Sequence, residues 1–186
     1  MKTTLSAQQH GFYTKNGYLE LELPHKELPL SKKRDQWRED KDLLHFLKTK
    51  LGHLALLLSG KTKLRLGMSE WIVDENRPKT PCKLKEMCSL QAHEICAVLS
   101  NEPLIPEKKS SLGVLPLPSN KESVLFFRSN LILDWPHVHS DVFLVVFTLH
   151  NGIYIENKND PETHYLKELG YFFGDSLKNE THPLIL

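Results

Sequence analysis

Residues 123–150 set two β-rich apolar runs, at 124–127 and 142–148, on either side of a polar segment holding His137, His139 and Asp141. The runs consist almost wholly of Val, Leu and Phe, so they alternate little between apolar and polar. Branched and aromatic side chains of this kind suit a pleated surface, and an unbroken apolar run suits a strand covered on both faces. A chain built around such strands needs two further layers to cover them. With 186 residues, 40% of them apolar, it has enough material for one domain with a sizeable core.

The flanking segments predict how those layers are made. Ser6 is placed to cap a short helix that ends at Asn16-Gly17. Residues 18–23 alternate Tyr18, Glu20 and Glu22 with Leu19, Leu21 and Leu23, which predicts a strand with one buried face. From Ser31 to Leu51 the spacing of Trp37, Leu43, Leu44, Leu47 and Leu51 predicts the main helix, with Gly52 separating a second short one. Strands are expected at 62–66, 71–73, 113–117 and 152–156, and over most of 89–99, with a polar loop at 74–81. Asp160-Pro161-Glu162 predicts the start of a late helix, and the apolar tail from Thr181 is expected to dock. Helices, then many short strands, then one helix predict an α+β domain over 1–186. Residues 1–60 form mainly a helical layer with one early strand, and 61–186 form mainly a β core with a late helix. The core is expected to be a sandwich or jelly roll.

Charge and composition exclude several functions. A formal net charge of +1 gives no broad electrostatic footprint for nucleic acid. There is no run of about 18 apolar residues to span a membrane, and no apolar stretch of a secretory signal near the N-terminus. Three cysteines, Cys82, Cys88 and Cys96, predict reduced thiols and a cytoplasmic setting.

Several short patterns carry possible chemistry. His139-Ser140-Asp141 sets an imidazole and a carboxylate at a spacing that shares one face of a strand, with His164 or His182 as a third ligand. The same residues also suit a polar turn with histidines at its rim. Cys82, Cys88, His93 and Cys96 lack the close pairing of structural zinc sites and read better as buried thiols. His93 and Glu94 are adjacent, so on a strand they face opposite ways. Ser59-Gly60-Lys61-Thr62 imitates the end of a phosphate loop, but Ala55 stands where the first glycine belongs. Lys61, Lys63 and Arg65 alternate and would share one solvated strand face.

Three stretches carry a family likeness. Phe12-Tyr13-Thr14-Lys15-Asn16-Gly17-Tyr18-Leu19, Pro116-Leu117-Pro118-Ser119-Asn120-Lys121 and Val124-Leu125-Phe126-Phe127-Arg128-Ser129-Asn130 resemble motifs of the phytanoyl-CoA-hydroxylase-like branch of the Fe(II)/2-oxoglutarate dioxygenases. The chain as a whole is also similar to a small chlamydial family of conserved proteins that has carried a label as divalent-cation-dependent regulators. The resemblance implies a double-stranded β-helix, or jelly roll, behind an N-terminal helical layer. It also implies an iron held by two histidines and a carboxylate, with an arginine gripping 2-oxoglutarate. The family's late histidine falls on Leu133, its early pair on residues 71–75 without a histidine, and no arginine follows Arg128. The metal candidates are therefore His137, His139 and Asp141, and the cofactor-binding candidate is Arg128.

Two functional classes follow. In the first, the fold has lost its iron site, needs no cofactor, and serves as a binding or regulatory module for an unknown small molecule or protein. In the second, the protein is an oxygenase using Fe(II) and 2-oxoglutarate through atypical ligands. A divalent-cation-responsive transcription regulator is a third reading, which the neutral charge does not favour.

Overall fold

The structure, a computed structural model, describes residues 4–25, 28–29, 33–101, 122–135 and 141–186. Helix α1 (Ala7–Asn16) starts at Ser6 as expected. The Ser6 hydroxyl accepts from the Gln9 amide while the Gln9 side chain accepts from the Ser6 amide. Gly17 closes it in the left-handed region at φ 80°, where glycine carries no Cβ penalty. Strand β1 (Tyr18–Glu22) follows at once and buries Leu19 and Leu21 while its glutamates face water.

The next segment departs from the predicted single helix. The chain makes one 3-10 turn at Gln36–Arg38 and only then enters α2 (Lys41–Phe46). Asp40 starts α2 by accepting from the amides of Asp42 and Leu43, both at 2.9 Å. The expected start, Ser31, lies outside the described residues. Gly52 does not break the helix either. A π turn at Leu47–Leu51 leads directly into α3 (Gly52–Ser59). Gly52 instead makes room for the C-terminal tail, because a Cβ there would stand 2.8 Å from Ile185 Cγ2.

The strands beyond are β2 (Leu64–Ile72), β3 (Cys82–Lys83), β4 (His93–Leu99), β5 (Ser123–Arg128), β6 (Ile132–Leu133), β7 (Val142–Leu149) and β8 (Leu184–Ile185). They form an antiparallel sheet of order β1-β5-β4-β7-β2-β8, with a small β3-β6 sheet facing it. The two strands predicted at 62–66 and 71–73 are one strand, β2, with a bulge between Leu66 and Met68. The tail docks as expected, with β8 pairing with the start of β2. Residues 152–156 form only the bridges Leu90↔Tyr154 and Ile153↔Ser176. The late helix is shorter than expected, a 3-10 helix at Tyr165–Leu169 closed by Gly170. The strand expected at 113–117 lies outside the described residues.

The main sheet is covered on both faces, which is why its sequence lacks alternation. Ile95, Ala97, Val145 and Phe147 pack against Leu47, Leu51 and Leu54 of the helical layer. The alternate residues Cys96, Val98, Leu144 and Val146 pack on the other face against Leu133, Trp135, Tyr154 and Leu166. This is the predicted α+β arrangement, with a helical layer outside and a curled β shell inside.

Candidate functional site

The bulge in β2 decides which side chains enter the shell. Leu64 and Leu66 face the helices, but the extra residue at Gly67 flips the alternation, so Met68 and Ile72 belong to the opposite core. Glu70 lies between them in register and is carried inward with them. Gly67 is required at the flip. A Cβ there would meet Thr148 Cγ2 at 2.9 Å, Leu90 Cδ1 at 3.1 Å and the Val146 carbonyl at 3.2 Å.

Glu70 meets Arg34, which arrives from the segment ahead of the 3-10 turn. Arg34 donates to Glu70 Oε2 from Nε at 3.1 Å and from Nη2 at 2.7 Å. It also donates to both oxygens of Asp160, at 3.0 Å each. Its side chain is 3% exposed, that of Asp160 is 0% and that of Glu70 is 9%. The Tyr165 ring lies 4.9 Å from the guanidinium carbon. Ser89 donates to Asp160 Oδ2 at 2.7 Å, and Asn76 donates to Glu70 Oε1 at 3.0 Å. One guanidinium thus serves two buried carboxylates, and a third, Glu162, stands 3.5 Å away. Burial works against the charge on Arg34, but the carboxylates outweigh it and keep the group firmly protonated. Burial pushes the Glu70 carboxyl up, and Arg34 only partly offsets this because it is shared.

A second buried network lies beside the first. Asp35 adopts a left-handed backbone at φ 55° and caps the free edge of β2 as a strand would. Its amide donates to the Ser69 carbonyl at 2.8 Å, and its carboxylate accepts from the Ser69 amide at 2.7 Å. The same carboxylate accepts from Arg38 Nη2 at 2.8 Å. Arg38 reaches on to His182 Nε2 at 3.0 Å, and Tyr171 Oη sits 3.1 Å from His182 Nδ1. Nε2 therefore accepts and Nδ1 carries the proton. Burial, with Arg38 and Arg65 nearby, pulls His182 down to about 2, so it is neutral.

A cleft of about 370 Å³ opens next to the Arg34–Glu70 pair. Ile72, Cys82 and Met87 supply its apolar wall, and Asn76, Lys79 and Glu86 supply polar ones. Cys82 lies directly opposite Leu133 in the β3-β6 ladder. Burial, with Glu86 adding to it, pushes the Cys82 thiol up to about 11, so it is a protonated thiol near neutral pH.

The residues singled out by the sequence fall in different places. Asp141 precedes Val142, whose partner Ile72 lines the cleft, so Asp141 lies at the cleft end of the shell. Its carboxylate is 48% exposed and stands 3.8 Å from Arg77 Nη2. His137 and His139 lie outside the described residues. Arg128 is registered with Ile95, itself opposite Phe147, near the far end of β7. That is roughly 17 Å along the strand from the cleft end. There Arg128 donates to the Thr14 carbonyl at 3.2 Å and lies over the Tyr13 ring, on the helical side. The His182 carbonyl accepts from Arg65 Nη1, and the strand partner of Arg65, Thr148, is also at the far end of β7, so His182 does not join Asp141. His164 lies tilted against Phe173, with ring centroids 5.6 Å apart.

Cys82, Cys88 and Cys96 are buried free thiols, as the spacing predicts. Among the described residues, no three His, Cys, Asp or Glu side chains converge on a position that could hold a metal ion. Burial pulls His93 down to about 4. Arg65 is not on a solvated face with Lys61 and Lys63. It is buried and donates to Asn179 Oδ1 at 2.9 Å. The Ser59–Thr62 stretch turns at Gly60, which ends α3 at φ 67°. The Arg34–Glu70–Asp160 cluster was not legible in the sequence, because its members lie 36 and 126 positions from Arg34 and no local spacing links them.

No protein-family model matches the chain, and no protein of curated function matches it by sequence. Solved structures match it by shape. The non-heme alpha-ketoglutarate-dependent carbocyclase SnoK from nogalamycin biosynthesis superposes with a TM-score of 0.72 at 14% identity, covering 98% of this chain and 97% of that one. The non-heme alpha-ketoglutarate-dependent epimerase SnoN from the same biosynthesis gives 0.69 at 10% identity, covering 95% and 96%. SnoN in complex with Fe3+, alpha ketoglutarate and nogalamycin RO gives 0.62 at 11% identity, covering 95% and 97%. CT296 from Chlamydia trachomatis gives 0.47 at 14% identity, covering 80% and 97%, a score too low to decide anything about this chain. The fold is therefore a jelly roll like that of SnoK and SnoN.

Proposed function

We propose that this protein keeps the shell of an Fe(II)/2-oxoglutarate oxygenase, nearest the phytanoyl-CoA-hydroxylase-like branch, and uses its cleft to bind a ligand without iron chemistry. The observation that carries this is the β3-β6 ladder, whose Cys82 lines the cleft. The position of the family's late histidine is Leu133, and the side chain across from it is the protonated thiol of Cys82. An alkyl group and a neutral thiol are poor donors for a hard divalent iron. The co-substrate fares no better among the described residues. Arg34, the buried cation at the cleft, gives four of its five N–H groups to Glu70 and Asp160, and Arg128 faces the helical layer. A diacid entering the cleft would meet Glu70 and Glu86 as well as Arg34 and Lys79.

The second reading is an active oxygenase with His137, His139 and Asp141 as ligands. It is favoured by the likeness in fold to SnoK and SnoN and by the place of Asp141 at the cleft end of the shell. Anaerobic titration with Fe(II) or Mn(II), followed by an assay for 2-oxoglutarate consumption without prime substrate, separates the two. The binding reading expects neither stoichiometric metal uptake nor consumption. Uptake of one equivalent, with turnover lost in His139→Ala and Asp141→Ala, would establish the oxygenase instead.

A further inference from the structure

We propose that Cys82 and Met87 form a site for a soft monovalent metal ion in the wall of the cleft, with Cu(I) as the ion it takes. The site is selected by sulfur and not by charge, and it goes beyond the binding reading above.

The chain brings two sulfur donors to one opening. Cys82 begins β3, and a 3-10 turn at Leu84–Glu86 follows. The Met87 amide closes that turn by donating to the Leu84 carbonyl at 2.8 Å. Leu84 and Cys88 are fully buried and pin the turn to the core. Cys82 and Met87 both line the cleft as a result. Thiolate and thioether are the ligands that select Cu(I) over harder ions. A closed-shell ion of this kind is stable with two donors in line, so no third ligand has to converge.

A buried donor marks the same sulfur. The Trp135 side chain is wholly buried, and its indole Nε1–H has no hydrogen-bond partner. A buried N–H left without an acceptor needs an explanation. Burial and Glu86 work against ionising the Cys82 thiol, and Trp135 is the group that works for it. A metal-bound thiolate carries the negative sulfur that the free thiol lacks, so loading the site gives the indole its acceptor and holds the ligand in place.

The charges around the site suit an exchange of one ion for one proton. The lining sets Arg34 and Lys79 against Glu70 and Glu86. Cu(I) replaces the Cys82 proton one for one and leaves that balance as it was, whereas a divalent ion would add a positive charge. Glu70 also has neither oxygen free for a hard ion, since it accepts from Arg34 on Oε2 and from Asn76 on Oε1.

The test is anaerobic titration of the reduced full chain with Cu(I), supplied as its acetonitrile complex, in competition with bicinchoninate. One equivalent is expected to bind and to release one proton, and X-ray absorption should show two sulfur neighbours. An excess of Mn(II) should not displace it. Cys82→Ser should abolish binding. Losing an outer-shell donor costs roughly tenfold in metal affinity, which is the effect expected of Trp135→Phe. Met87→Leu removes a ligand at nearly unchanged volume, so it should fold and weaken binding by more than that. Failure to compete with bicinchoninate, oxygen or nitrogen neighbours in place of sulfur, or an affinity unchanged in Met87→Leu would overturn the proposal. Iron-dependent consumption of 2-oxoglutarate would instead sink the binding-module reading and leave this site standing.

Discussion

At the scale of single residues, Arg34 holds the buried charges of this protein together. Removing it leaves Glu70 and Asp160 facing each other in a dry wall with no counter-ion. We expect Arg34→Ala to cost about 3–5 kcal/mol by urea denaturation. In a Glu70→Gln background the same change should cost markedly less, because one of the two stranded charges is already gone. An equal cost in both backgrounds would show that Arg34 acts by packing on Tyr165 and not by charge.

The two buried histidines set the response to acid. His93 and His182 are held neutral, at about 4 and about 2, whereas both would take up a proton near 6.5 once unfolded. The unfolded chain therefore binds more protons below 6.5, and stability falls as the pH drops through that value. By about pH 5 the loss is about 2 kcal/mol for each histidine. Glu70 works in the opposite sense. Its raised carboxyl favours the fold at low pH, and that contribution fades as the pH climbs above 4.5. Denaturation of the wild type and of His93→Gln at neutral pH and near pH 5 isolates the histidine part. The variant should show the shallower fall.

At the scale of elements, the bulge at Gly67 couples the fold to the cleft. It turns β2 over, so that one strand serves the helical core with its first half and the shell interior with its second. Gly67→Ala forces a Cβ against a backbone carbonyl that pairing with β7 holds in place. The expected cost is about 1–3 kcal/mol, read by urea denaturation. The edge of β2 depends similarly on Asp35, whose main chain and side chain stand in for a neighbouring strand. This also explains why the predicted helix from Ser31 does not form over residues 33–39. Those residues are spent on closing an edge and filling the shell.

At the scale of the whole molecule, the sheet is a wall between two cores, and its central strands see no solvent from either side. Backbone amides of β4 and β7 should exchange with solvent only through global unfolding, while those of β1 and β8, at the sheet edges, should exchange through smaller openings. Hydrogen exchange followed by mass spectrometry reads this directly. Similar rates in the edge and central strands would mean that the whole sheet opens as one cooperative unit.

The sequence alone determined the elements whose signals are local. Ser6 and Gly17 bound α1, the Leu/Glu alternation makes β1, and the unbroken apolar runs make β5 and β7 central strands. Those features, with the family likeness, were enough for an α+β jelly roll. The sequence also marked Leu133 as an apolar residue at a ligand's position, and the structure adds that Cys82 lies across from it. What only the tertiary structure decided is where charge goes inside the shell. Arg34, Glu70 and Asp160 belong to a loop, a bulged strand and a turn far apart in the chain, and each would be read as a solvated residue in its own neighbourhood. Their burial depends on one glycine shifting a register by a single residue. That shift follows from contacts with Thr148, Leu90 and Val146, which the chain makes only once the sheet is assembled.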